Sequence, residues 1–190
     1  MIQRLLVLTA GLLLAAGTAA LAQTAPAKPA PGEAKPPSKA PQAVITLEKG
    51  GQITLELFPV DAPRHVDNFA KLVRQGFYDG QRFHRVEDWV VQVGDPQSKT
   101  RPVDDDRVGS GGAGYTIKAE FNKRKHERGA LGMARGDDPD SASSQFYITL
   151  KPSYFLDGQY TVFGRVTKGM EHVDKLKLGD RIKSIRIVTR

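Results

Sequence analysis

Arg85 and Gln92 are the first residues of this chain that invite a chemical question. They fall in the stretch RFHRVEDWVVQVGD, residues 82–95, where a guanidinium and an amide interrupt an apolar, strand-like run. An arginine is permanently charged and carries five N–H donors in a rigid fork; a glutamine adds two donors and an acceptor. Such a pair holds a polar group by hydrogen bonds; it does not attack one. Read alone, Arg85 is a strand arginine with Glu87 and Asp88 beside it, and exposed ion pairs of that kind contribute little.

Other chemistries lack their residues. His65, His84, His126 and His172 are spread over separate candidate elements, there is no cysteine, and no HExxH or Cys/His spacing occurs, so no metal site is expected. The glycine-rich run at residues 109–114 lacks the Gly-Lys-Ser/Thr ending of a phosphate loop and reads as a flexible surface loop. Asp104, Asp105 and Asp106 lack the alternating ligands and final glutamate of a calcium loop. No GxSxG motif is present. The domain shows no hydrolytic machinery.

The elements that must position Arg85 and Gln92 are mostly short strands. Residues 43–48 and 52–58 flank Lys49-Gly50-Gly51 as a hairpin. Asp61, as a cap, and Pro63 open a helix whose stripe is Val66, Phe69, Ala70 and Val73, closed by Gly76. Further strands are expected at 82–86, 89–93, 115–121, 130–134, 145–149, 161–167 and 182–188, with a short helix within 168–176. Many short strands and only two helices argue for an all-β barrel or sandwich.

The ends and the charge set the context. Arg4, the apolar run 5–16 and Ala20-Leu21-Ala22 have the grammar of a cleaved secretory signal peptide, residues 1–22. Residues 23–42, rich in Pro, Ala and Lys, form a disordered tether. The folded domain is then 43–190. The net charge of +7 falls to +6 (27 minus 21) once Arg4 is removed. Basic residues are interspersed with acidic ones, so a solvated surface is expected and nucleic acid is not.

Three stretches carry a more specific pattern. Phe83-His84-Arg85-Val86, Gln92-x-Gly94-Asp95, Gly132-Met133-Ala134, Ser144-Gln145-Phe146, and Leu156-Asp157-Gly158 followed by Val162-Phe163-Gly164 occur in that order, with Gly114-Tyr115-Thr116-Ile117 between them. Together they resemble a cyclophilin over residues 43–190. The resemblance implies a closed eight-stranded antiparallel barrel capped by two α-helices, with the active site on its outer face. It also implies peptidyl-prolyl cis-trans isomerase activity on proline-containing peptides, with no metal or cofactor needed. Together with the signal peptide this places the expected activity in the periplasm or outside the cell, on unfolded exported proteins, and nothing in the sequence suggests more than a monomer.

By the same resemblance Arg85 and Gln92 are catalytic groups on a groove. Trp89, Val90, Tyr147, Phe155, Leu156 and Tyr160 supply the apolar pocket for the proline ring, while Ala134, Arg135 and Gln145 line the groove for preceding residues. His84 is assigned a structural part only. Departures from the family pattern are specific. The turn Val86-Glu87-Asp88-Trp89 is one residue shorter than the usual Val-x-Pro-Gly-Phe, and Val93 replaces a glycine. Arg135 replaces an asparagine common in eukaryotic members, as in bacterial-type ones, and Tyr160 replaces a frequent histidine. Phe155 stands for the tryptophan of tight cyclosporin binders, so weak binding of that drug is expected. The shortened turn and Val93 leave one rival, a proline-peptide-binding chaperone without turnover. A second rival uses the basic tether to dock the protein on an envelope surface.

Overall fold

The computed structural model describes residues 40–188. The expected signal peptide and all of the expected tether before residue 40 lie outside the described residues. Order begins slightly before the expected domain start: β1 (Gln42–Leu47) opens on Gln42, and the Leu57 N–H donates to the Pro41 carbonyl at 2.9 Å. β2 (Gln52–Leu57) pairs antiparallel with β1, Ile45 opposite Ile53. Gly50 and Gly51, both with φ above 90°, make the connecting turn, a conformation that disfavours side chains. Alternate residues Ala43, Ile45 and Leu47 lie beside Ile53, Leu55 and Leu57 on the one face turned to the core, as the two-residue period of a half-buried strand requires.

The remaining elements are α1 (Pro63–Arg74), β3 (Arg85–Val86), β4 (Val90–Val93), β5 (Ala130–Met133), β6 (Phe146–Thr149), β7 (Val162–Lys168), α2 (Met170–Val173) and β8 (Ile182–Val188), with three short 3₁₀ turns. All strands belong to one antiparallel sheet in the order β3-β4-β6-β5-β7-β2-β1-β8. α1 lies against β8 and α2 beside β2. Phe69 of α1 enters the core among Tyr78, Phe146 and Phe163, with ring centroids 5.4, 5.4 and 5.6 Å away. Such aromatic pairs each add about 0.5–1.5 kcal/mol beyond area burial. Among the described residues no helix is long and apolar enough to cross a membrane.

The expected closed barrel is not formed; the sheet is a curled, open half-barrel. Its end strands β3 and β8 share no ladder. Between the segments that lead into them there is one isolated bridge, Arg82 with Arg181, and a few irregular main-chain hydrogen bonds such as Phe83 N–H to the Asp180 carbonyl. Gly80 and Gly179, at φ 81° and 89°, lie in the two segments that meet there.

Two other expectations need correction. Residues 115–121 are not a strand: only Ile117 bridges, to Ala142. The segment instead delivers Glu120 to the start of α1, where its carboxylate accepts the N–H groups of Arg64 (3.1 Å) and His65 (3.0 Å) and His65 Nδ1 (2.7 Å). Asp61 is therefore not the cap; Ala62 occupies that position without a side-chain bond, and Asp61 pairs with Arg124 at 2.8 Å. A carboxylate at the first-turn N–H groups satisfies orphan donors and complements the helix dipole wherever in the chain it comes from.

Candidate active site

β3 and β4 place the two polar residues side by side. Arg85 and Gln92 are direct cross-strand partners, and Arg85 Nη1 lies 3.4 Å from Gln92 Oε1. Gln92 Nε2 donates to Gln145 Oε1 at 2.9 Å, and His84 Nε2 reaches the same oxygen at 3.1 Å. Gln145 in turn gives both amide hydrogens to main-chain carbonyls, Gly109 at 2.8 Å and Gly111 at 2.7 Å. With every polar atom of Gln145 committed, its orientation is fixed, and so is that of Gln92.

The glycine-rich run that anchors Gln145 is not a free surface loop. The buried carboxylate of Asp95 accepts N–H groups from Gly109 (2.6 Å), Gly111 (3.0 Å) and Gln97 (2.8 Å). A Cβ at Gly111 would collide with Asp95 Oδ1. The loop is thus tied down from both sides.

Beside Arg85 and Gln92 the sheet holds a small recess of about 160 Å³, lined by both residues and by Trp89, Val90, Ala134, Arg135, Tyr147, Leu156 and Tyr160. Val90, Tyr147 and Leu156 form a hydrophobic cluster separate from the main core, with Trp89, Ala134 and Tyr160 packed on it. The shortened turn does not carry Trp89 away. One residue expected in the proline pocket lies elsewhere. Phe155 is 63% exposed and covers Trp89 edge-on at 5.3 Å without lining the recess. Gln145 faces an adjoining cavity of about 490 Å³ with Gln92, Ala134, Arg135 and the glycine-rich loop. Arg135 stands between the two cavities, stacked over Tyr160 at 4.6 Å and bonded to the carbonyls of Gly136 and Gln159.

The floor of the recess has its own support. Tyr147 lies across Gly132, its partner on β5, and its hydroxyl bonds His126 Nε2 at 2.9 Å; His126 Nδ1 bonds Asp157 at 2.9 Å. Burial lowers the His126 pKa from its usual value against the pull of Asp157. Burial opposes ionisation of Asp157 as well, but hydrogen bonds from His126 and Lys125 outweigh it and hold the carboxyl at about 2. With the imidazole neutral, Nδ1–H donates to Asp157 and Nε2 accepts from the phenol, so both ring nitrogens are satisfied.

Burial likewise lowers His65 and His84. The unfolded chain takes up these protons near pH 6.5, whereas the folded chain resists them until lower pH. The stability this contributes is complete above about pH 6.5 and is lost as pH falls through the lowered native values. The melting temperature should therefore drop by several degrees between pH 7.5 and pH 5, less steeply in His126→Gln. An unchanged melting temperature over that range would contradict neutral burial.

Glu87, His84, Asp95, His126 and Asp157 are the residues that build this site without having been singled out for it by sequence. Glu87 had one signal, its place beside Arg85. Each of the others has a partner 14 to 61 residues away that it meets only through the fold. Among the described residues no cluster of three or more potential metal ligands occurs.

The chain is similar to proteins of known type. The family model for cyclophilin type peptidyl-prolyl cis-trans isomerase/CLD matches residues 43–189. A probable peptidyl-prolyl cis-trans isomerase of Brucella suis is 46% identical over 145 residues, 74% of each chain. Peptidyl-prolyl cis-trans isomerase B of Bacillus subtilis is 44% identical over 144 residues, 74% of this chain and 94% of the relative. The crystal structure of a Cryptosporidium parvum cyclophilin type isomerase, solved in the presence of the dipeptide Ala-Pro, superposes with a TM-score of 0.67 at 28% identity, covering 78% of this chain and 99% of that one. The chain belongs to the cyclophilin-type peptidyl-prolyl cis-trans isomerases. It is an enzyme, and its reaction is the cis/trans interconversion of peptide bonds that precede proline.

Proposed function

We propose that this isomerase acts on exported, incompletely folded proteins, and that Arg85 lowers the rotational barrier by holding the twisted amide. The observation that carries the reading is the recess itself: Arg85 and Gln92 stand beside a cavity of about 160 Å³, a size suited to one small ring, walled by the apolar cluster of Val90, Tyr147 and Leu156. Amide rotation is opposed by conjugation of the nitrogen lone pair with the carbonyl, a barrier of about 18–20 kcal/mol. At 90° the lone pair localises on the proline nitrogen. A donor already pointed at that atom bonds the twisted form better than the planar one, which is the condition for catalysis. Arg85 supplies the donor, Gln92 steadies the peptide backbone, and Trp89, Val90, Tyr147, Leu156 and Tyr160 hold the ring. Ala134, Arg135 and Gln145 line the approach for the preceding residues. No proton is transferred and no bond is made.

The export assignment rests on the signal-peptide grammar of residues 1–22. Weak cyclosporin binding follows from Phe155, which covers Trp89 from outside. The reading of a binding protein without turnover draws no support from the turn, because Trp89 still reaches the recess. The test is made on the protein expressed in a bacterial host from its full sequence. Envelope fractions should contain a form beginning at Gln23 that accelerates isomerisation of an Ala-Pro test peptide, with cyclosporin inhibiting only at high concentration. A cytosolic protein that keeps Met1 would remove the export assignment, and a folded protein no faster than the uncatalysed reaction would remove the catalytic one.

A further inference from the structure

The turn between Arg85 and Trp89 contains a contact that neither the family's chemistry nor the recess requires. Arg85 and Glu87 lie two apart and share a face, and the bend at Asp88 and Trp89 returns the indole to it. Glu87 bridges the other two. Its Oε1 accepts Nε–H of Arg85 at 2.7 Å, its Oε2 accepts Nε1–H of Trp89 at 2.8 Å, and the guanidinium carbon stands 5.3 Å from the indole. The Glu87 N–H closes the same turn on the Val90 carbonyl at 2.9 Å. The neighbouring carboxylate goes elsewhere: Asp88 pairs with Lys151 at 2.6 Å.

We propose that Glu87 is a positioning residue, gripping Arg85 by its Nε edge and Trp89 by its indole N–H so that the terminal amino groups of Arg85 are presented to the recess in one orientation. The proposal rests on the role given to Arg85 above. It accounts for the shortened turn, since the carboxylate fixes both ends of a segment too short for the family's usual one. The guanidinium hydrogen bond also holds the Glu87 carboxyl below its ordinary value, so the grip persists through neutral pH. Both side chains are more than 40% exposed, and exposed pairs contribute little to stability. Loss of Glu87 should therefore appear in turnover and not in melting. A long arginine side chain released from its anchor samples many rotamers, and misplacing a catalytic group by about 1 Å costs up to roughly 10²-fold.

Trp89 is the only tryptophan of the chain, which gives the experiment a local reporter. The full chain is compared with Glu87→Ala, Glu87→Gln, Asp88→Asn and Arg85→Ala on an Ala-Pro test peptide, recording kcat, KM, melting temperature and Trp89 emission. Glu87→Ala should lower kcat about tenfold, with KM and melting temperature nearly unchanged and the emission shifted. Glu87→Gln should fall between, since one oxygen remains to accept. Asp88→Asn removes the same charge one residue away and should behave as the parent does. Parental kcat in Glu87→Ala, or an equal loss in Asp88→Asn, overturns the proposal. If Arg85→Ala itself keeps full activity, the reading of Arg85 fails first; if Arg85→Ala is inactive while Glu87→Ala is not, only the grip fails.

Discussion

Arg85→Ala is expected to reduce kcat/KM on a proline test peptide by roughly 10²- to 10³-fold while leaving the melting temperature within a degree or two. The magnitude is that of removing one fixed donor from a developing charge, about 3–4 kcal/mol. Stability should barely move, because the side chain lies on a two-residue edge strand and its ion pair with Glu87 is exposed. Arg85→Lys should recover only part of the rate. A lysine offers a compact charge on a flexible stem, without the Nε donor that Glu87 holds and without a planar face for Trp89. The decisive measurement is kcat and KM for both variants in one peptide series. If the loss lies wholly in KM, Arg85 binds substrate and transition state alike and is not the group that lowers the barrier.

The second large effect comes from the far side of the recess. A Cβ at Gly132 would land on the ring and hydroxyl of Tyr147, so Gly132→Ala must expel a ring that is 4% exposed and bonded to His126. Overpacking of this kind costs about 1–3 kcal/mol. The broken hydrogen bond strands a buried imidazole nitrogen for about another 1–3 kcal/mol. At about 2–4 °C per kcal/mol for a domain of this size, the melting temperature should fall by roughly 10 °C, and KM should rise as the pocket wall moves. Because the clash is with one ring, the effect should be non-additive with its removal. In a Tyr147→Leu background, Gly132→Ala should cost little, a coupling of about 1–3 kcal/mol in the double-mutant cycle. Equal cost in both backgrounds would show that the ring is not the obstacle.

Sequence reading succeeded where local pattern and ordered motifs carried the information. The hairpin β1–β2, helix α1 and strand β8 were legible from periodicity and glycine positions, and β8 fell at residues 182–188 as expected. The residues around the recess were legible because several motifs stand in a fixed order. What stayed hidden depends on contacts far apart in the chain. Residues 115–121 have apolar spacing, yet Tyr115 bonds Asn68 and Glu120 caps α1, so the segment spans between elements instead of pairing in the sheet. Asp61 looked like a cap because a cap is ordinarily local; Glu120 serves from 55 residues away. Closure of the sheet depends on whether residues 80–83 and 179–182, about 100 residues apart, form a ladder; they form one bridge and a few bonds instead. Glu87 was visible only as an acidic neighbour of Arg85, since its second partner, Trp89, is reached only when the turn folds.

The open seam between β3 and β8 bears on how firmly the enzyme holds its own arginine. β3 is paired on one side only, to β4, whereas β4 continues through β6 into the interior of the sheet. Strands with few buried contacts open at a small fraction of the global unfolding free energy, and central ones only near its full value. Arg85 thus rides on the element most easily detached, while the glutamine beside it and the tyrosine beneath the recess are fixed to the most durable part of the fold. The two halves of the site differ in local stability, so a loosened edge would silence the enzyme well before the domain itself came apart.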